Sequence, residues 1–294
     1  MLIDCHAHLD SFSDDEVSQI LERARSAGVD MIISAGTTVE SSARSIQLSS
    51  RFPALFSGVG IHPMDLRGPI DEETYGRLRR MAASTEKVLV ISEIGLDFKE
   101  GAPERALQYQ AFREQIRLAR DLGLPIVFHS REAHQETLLV LRQEQAYQVA
   151  GVMHYFQADL VTARHAIDLG FYISLARPLL RLPGLQQVAA QVPLENIVLE
   201  TDAAPQPFKA KRQSWTEPRH VRDIAEKLAT LQHRSLQEVE AVTTQNLLSL
   251  LESRRDVIHR SLGPAGQALA SARQRPQEGH WQDQEAENPA RDRG

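Results

Sequence analysis

The chain has 294 residues, 42% of them hydrophobic and 24% charged, with a net charge of −6. This composition supports a sizeable core and excludes wholesale disorder, and the length suits one barrel of roughly 250 residues or two smaller units. The negative balance disfavours a protein that holds nucleic acid by a basic face alone, although bound divalent cations can supply positive charge where phosphate sits.

Short apolar, β-branched runs alternate with longer amphipathic segments along the chain. Eight runs read as strands, at 2–5, 31–34, 55–61, 88–94, 126–128, 149–153, 171–174 and 196–199. The segment 15–27 reads as a helix stopped by Gly28. The clearest helix spans 105–122, where Tyr109, Phe112, Ile116 and Ala119 make one apolar stripe and Gly123 with Pro125 ends it. Helices follow at 159–169, at 217–231 with Pro218 in the first turn, and at 235–251. Strands alternating with helices imply parallel strands with crossover helices. Eight such units, with no glycine-rich phosphate loop after any strand, predict a closed TIM-type (β/α)8 barrel over an open doubly wound sheet. The barrel domain is expected to cover 1–255, with an extra C-terminal helix. Residues 256–294 form a polar tail expected to be disordered, since large apolar residues are few after 263.

Cys5 is the only cysteine, so no intrachain disulfide can form, which fits a reducing compartment. The opening Met1 to His6 lacks the basic start and apolar length of a signal peptide. No apolar run approaches the roughly 20 residues of a bilayer span. A cytoplasmic protein without membrane association is expected.

The chemistry lies in where ligand-type residues fall. His6 and His8 lie at the end of the first strand, His62 follows the third and Glu93 ends the fourth; His129 ends the fifth, His154 the sixth and Asp202 the eighth. In a barrel these C-terminal strand ends gather on one face, where active sites of the fold lie. Five of the eleven histidines sit at such ends, which chance placement of core histidines explains poorly. Residues two apart on a strand share a face, so His6 and His8 point inward and can bind one ion. The same alternation directs Cys5 outward as a small hydrophobe. Imidazoles mixed with carboxylates suit divalent transition metals and tolerate magnesium. Four histidines and two acids exceed the needs of one tetrahedral ion. Two ions (Mg, Mn or Zn) sharing a bridging carboxylate are the economical reading, and such a pair suits phosphodiester hydrolysis.

The motifs His6-Ala7-His8-Leu9-Asp10, Gly60-Ile61-His62-Pro63, Glu93-Ile94-Gly95-Leu96-Asp97, His129-Ser130-Arg131, Glu200-Thr201-Asp202-Ala203 and Thr243-Thr244-Gln245-Asn246 occur in that order. With them the chain resembles the TatD family of metal-dependent deoxyribonucleases, within the amidohydrolase-like barrels, over nearly all of 1–252. The resemblance implies that His6, His8 and Asp202 hold one metal, that His129 and His154 hold the other, and that Glu93 bridges them. It further implies that Asp202 accepts a proton from the attacking water, that His62 lies near the substrate, and that DNA is digested exonucleolytically from its 3′ end. Single-stranded DNA is the expected substrate. Three stretches depart from the family's pattern. His154-Tyr155-Phe156-Gln157-Ala158 replaces His-Cys-Phe-Ser-Gly, Trp215-Thr216-Glu217-Pro218 replaces Arg-Asn-Glu-Pro, and Ala203-Ala204-Pro205 lengthens an Ala-Pro. These changes spare the ligand types and fall on the substrate side.

Lys209, Lys211 and Arg212, beside Phe208 and Trp215, lie in the loop after the eighth strand and could track a phosphate backbone and stack a base; an ordinary solvated loop is the alternative. Arg131 follows a ligand and could contact phosphate or form a surface salt bridge. Asp4 and Glu200 share strand parity with His6 and Asp202 and could orient the ligands or pair deeper in the barrel. Asp10 and Asp97 also suit turn residues. Two other functions compete: an amide or ester hydrolase, such as a D-aminoacyl-tRNA deacylase, using the same site, and a non-catalytic barrel that binds a partner.

Overall fold

The computed structural model describes residues 1–263. Eight parallel strands lie in sequence order: β1 (Leu2–Ala7), β2 (Val29–Ala35), β3 (Leu55–Val59), β4 (Val88–Asp97), β5 (Ile126–Arg131), β6 (Gly151–Met153), β7 (Phe171–Leu175) and β8 (Ile197–Leu199). The ring closes just past β8. His8 N donates to Ala203 O at 2.7 Å, Asp202 N donates to His6 O at 3.0 Å, and the Asp4 carboxylate accepts Thr201 N at 3.0 Å. The TIM-type barrel expected from the alternation is therefore present.

Helices α1 (Asp14–Ser26), α2 (Val39–Arg51), α3 (Glu72–Ala83), α4 (Arg105–Leu122), α5 (His134–Gln143), α6 (Leu160–Asp168), α7 (Pro183–Ala189) and α8 (Val221–Gln232) surround it. Helix starts follow capping chemistry. Ser13 and Glu16 form a capping box on α1, and the side chains of Asp71 and Asp159 accept from Thr74 N and Thr162 N on α3 and α6. The helix α4 matches its expected limits and ends on Gly123, whose φ of 62° suits glycine at a left-handed cap. Two further helices, α9 (Leu236–Leu250) and α10 (Arg255–Leu262), close the barrel floor. Residues 255–262, most of which fell in the expected tail, are thus helical and bury Val257 and Ile258, while 264–294 lie outside the described residues.

Two apolar layers result from strand alternation. Ile126, Phe128, Ile197 and Leu199 point outward to the helices, whereas Val127 and Val198 point inward with Ile3, Met31, Ile33, Phe56 and Val152, above the floor residues Leu247, Leu251 and Ile258. One more inward step along β5, β6 and β8 gives His129, His154 and Glu200. The interior therefore turns from apolar to polar toward the C-terminal mouth.

Cys5 corrects the simple alternation. Its thiol lies inside the barrel, 3.5 Å from Ser174 Oγ and 3.9 Å from Glu200 Oε2. Between Asp4 and Ala7 the β1–β2 register shifts, three steps on β1 matching two on β2. That extra residue is a β-bulge, which lets both Cys5 and His6 face inward. Strand β4 also runs past its expected end, so Glu93 sits mid-strand.

Gly95, at φ 140°, holds β4 against β5: a Cβ there would lie 2.0 Å from His129 O. We expect Gly95→Ala to destabilise the barrel by about 3 kcal/mol or more. A thermal melt should show a midpoint about 6–12 °C lower, and an unchanged midpoint would refute the close approach.

Candidate metal centre

Glu93 is the hub at the mouth. The space beside it is kept by Gly60, where a Cβ would meet the Ser92 carbonyl at 2.8 Å. The Glu93 carboxylate is buried, and its two oxygens face different imidazoles. Oε2 lies 3.3 Å from His6 Nε2 and 3.4 Å from His8 Nε2. Oε1 lies 2.7 Å from His154 Nε2, 3.3 Å from His129 Nδ1 and 3.3 Å from His62 Nε2. Asp202 completes the first group, its Oδ1 3.2 Å from His8 Nε2 and 4.0 Å from His6 Nε2. All six residues expected as ligands are thus brought together, and His62 joins them.

Supporting contacts fix the rings. Glu200 Oε1 meets His154 Nδ1 at 3.2 Å and accepts Tyr155 N at 2.7 Å, while its Oε2 accepts Ser174 Oγ at 2.7 Å. This is the orienting contact that its strand parity allowed. Asp97, fully buried, meets His129 Nε2 at 2.9 Å. Its orienting contact was not singled out in the sequence, where it reads equally as a turn residue; β4 runs on to Asp97, whose strand parity with Glu93 sets it inside. Asp4 instead binds backbone, accepting His6 N and Thr201 N, and so secures the seam beside two of the candidate ligands. His8 Nδ1 meets Ala35 O at 3.2 Å. Asp202 adopts φ 53°, a left-handed conformation that aspartate tolerates better than most residues, which turns its carboxylate back over the mouth.

The substrate-side candidates are distributed differently. Arg131 lies at the rim but is engaged by Asp97, Nε at 3.0 Å and Nη2 at 2.6 Å. Arg212 bonds Glu217 Oε1 at 2.9 Å and stacks on Phe12 and Trp215. Lys209 donates to Ser214 O at 3.1 Å, and Lys211 and Phe208 are exposed. The three basic residues of this loop therefore stay outside the imidazole cluster.

The arrangement fits a divalent cation. Buried His6 Nδ1 has no hydrogen-bond partner. Donors bound at about 2.1 Å around a tetrahedral ion stand about 3.4 Å apart, close to the 3.2–3.4 Å among His6, His8 and Glu93 Oε2 and between His8 and Asp202, with His6 and Asp202 wider at 4.0 Å. Four overlapping groups could hold an ion: His6, His8 and Glu93; His6, His154 and Asp202; His62, Asp97 and His129; and Glu93, His129 and His154. Protonation follows the same demand for positive charge. Burial opposes it, yet Asp202 and Glu93 push His8 well above the usual imidazole range, and Glu93 and Glu200 do the same for His154. Burial likewise works to raise the acids, but His154 and His62 hold Glu93 well below the carboxylate range and His8 holds Asp202 down to about 2. His6 is lowered, by burial first and then by His154.

A (β/α)8 barrel with this cluster at its C-terminal mouth has the build of a metal-dependent barrel hydrolase. Residues 3–252 match the family model described as TatD related DNase, and the chain belongs to that family. It is 31% identical over 252 residues to the uncharacterized metal-dependent hydrolase YabD of Bacillus subtilis, covering 84% of this chain and 97% of that protein. It is 29% identical over 271 residues to the human deoxyribonuclease TATDN3, covering 88% and 97%. Among solved structures it resembles the TatD homologue YjjV of Escherichia coli, with a TM-score of 0.77, 28% identity and coverage of 85% and 98%.

Because the neighbouring carboxylates favour the protonated forms of His8 and His154, an entering cation must compete with protons for these rings. Affinity for zinc or manganese should therefore rise as pH goes from 6 to 8. Calorimetry should show proton release as a binding enthalpy that changes with the buffer's ionisation enthalpy; a pH-independent affinity would contradict the assigned protonation.

Proposed function

We propose that this chain is a divalent-metal-dependent deoxyribonuclease that shortens DNA, preferentially single-stranded, from the 3′ end. The observation that carries this reading is the division of imidazoles between the two oxygens of Glu93. It supports a site for two divalent ions (magnesium, manganese or zinc), with His6, His8 and Asp202 on one, His129 and His154 on the other, and Glu93 between them. Imidazole and carboxylate donors suit such ions, and the name of human TATDN3 supports DNA as substrate. The single cysteine, buried and free, accords with a cytoplasmic setting.

When bound, a metal pair supplies Lewis-acid charge that acidifies water and attracts phosphoryl oxygens. The chain's own residues do the rest. Asp202 is the proton acceptor: its side chain is 30% exposed, the most open of the six, and its Oδ1 stands 3.2 Å from His8 Nε2 at the mouth. Glu93, at 4% exposure, stays charged in a water-poor pocket and keeps the imidazoles in register. Water attacks phosphorus, its proton passes to Asp202, and the bond to the leaving ester oxygen breaks, that oxygen taking a proton from solvent at the mouth to leave as an alcohol. His62, edge-on to His129 with ring centres 4.6 Å apart, lines the rim where substrate enters. Exposed Lys211, with Lys209 and Arg212, gives the DNA backbone an electrostatic track, and Arg131 adds charge at the rim.

The replaced turn at Tyr155 to Ala158 motivates a second reading, amide or ester hydrolysis by the same centre. Single-stranded DNA labelled at either end, incubated with each ion, separates the two. We expect metal-dependent laddering from the 3′ end, abolished by chelation and reduced about a hundredfold or more in His129→Ala. Absence of DNA cleavage with every ion, alongside turnover of neutral esters or amides, would replace the nuclease reading with the second.

A further inference from the structure

Most arginines around the mouth are committed to carboxylates. Arg131 is held by Asp97, and Arg23, Arg212 and Arg219 converge on the single buried carboxylate of Glu217 at 2.8–3.3 Å. Arg177 differs. It opens the turn two residues after β7, on the face that carries every candidate ligand. It is half-buried, its Nη1 donates to Thr216 Oγ1 at 3.4 Å, and no carboxylate among the described residues pairs with it. A half-buried guanidinium left without a counter-charge is costly, and a bound anion removes that cost.

Its surroundings indicate where the anion sits. Tyr155 follows the candidate ligand His154 and takes φ 47°, uncommon for so bulky a residue, with its N–H fixed by Glu200. The Tyr155 ring lies 6.1 Å from the His154 ring, and its phenol is within electrostatic reach of Asp202 and Glu200, which disfavour its ionisation, and of Arg181 and Arg177, which favour it. Tyr155 thus neighbours the metal centre and feels both arginines. Thr216, which accepts from Arg177, is tied by Gln206 at 2.8 and 3.3 Å, so the loop after β8 steadies the guanidinium. Tyr155 and Thr216 both fall in the stretches that depart from the family's pattern.

We propose that Arg177, with the Tyr155 hydroxyl, forms an anion subsite that grips a non-bridging phosphoryl oxygen of the substrate beside the metal centre. The inference rests on the phosphodiesterase reading and names the residue that recognises substrate charge. Guanidinium offers a planar fork of N–H donors matched to phosphate oxygens, and the phenol adds one O–H. A neutral amide or ester gives the fork no charge to meet, so the subsite selects phosphoryl substrates.

The test needs no turnover. Inorganic phosphate and thymidine 5′-monophosphate are titrated calorimetrically into the metal-loaded full-length protein and its variants, with metal content measured alongside. Arg177→Gln should weaken both ligands about 10- to 100-fold and Tyr155→Phe about threefold, at unchanged metal content. Arg177→Lys, which keeps the charge and loses the fork, should recover part of the loss, and it serves as the main variant if Arg177→Gln does not fold. KM for thymidine 5′-p-nitrophenyl phosphate should rise in parallel. If Arg177→Gln, folded and metal-loaded, binds both anions within twofold of the parent, the subsite is wrong even though the protein cleaves phosphodiesters. If binding depends on Arg177 while no phosphodiester is turned over, the subsite stands and the nuclease reading falls.

Discussion

A carboxylate taken out of water must be matched by positive charge, and Glu93 sets that condition for the whole molecule. Five imidazoles surround it, two from the end of β1 and one each from the ends of β3, β5 and β6. Among the described residues no lysine or arginine pairs with it, so the compensating charge is carried by protons on histidine or by a cation. Glu200 beneath and Asp202 above reinforce the same demand. A site so arranged draws cations for an electrostatic reason before any geometric preference applies.

The barrel makes that concentration of polar groups tolerable by layering. Helices α9 and α10 and the turn between them seal the floor with Leu247, Leu251, Val257 and Ile258, and Ile3, Met31, Phe56, Val127 and Val198 fill the layer above. Next come Cys5, Ser174 and Glu200, which satisfy one another by short contacts, and only then the imidazoles. Folding energy is concentrated at the bottom and chemistry at the top, so the apolar layers below bear the cost of the polar mouth, including the unpartnered Nδ1 of His6.

Charge at the rim is equally partitioned. Asp97 takes both His129 and Arg131, so one acid orients a ring inside and anchors a guanidinium outside. Glu217 gathers three arginines from α1, the β8 loop and the turn before α8, and this cluster of net positive charge lies on a protein of net charge −6. Local field at the mouth is therefore decoupled from overall charge, which explains why composition alone argues weakly about an anionic substrate.

The eight-strand alternation, the helix α4 to the residue, and the gathering of His6, His8, Glu93, His129, His154 and Asp202 were all legible in the chain. These depend on periodicity and on strand ends, and both are local properties that a parallel barrel converts directly into position. Cys5 was not legible: strict alternation sent it outward, and a bulge that exists only because β1 must register against β2 turned it in. Nor could spacing separate Asp97 as an orienting acid from a turn residue, or distinguish the uncommitted Arg177 from Arg131 and Arg212. Residue type and order determined which chemistry the chain could assemble. Which acid steadies which ring, and which arginine is left free for an anion, was decided by contacts between segments up to about two hundred residues apart, such as the Asp4–Thr201 seam, because pairing energies depend on distances that only the closed barrel sets.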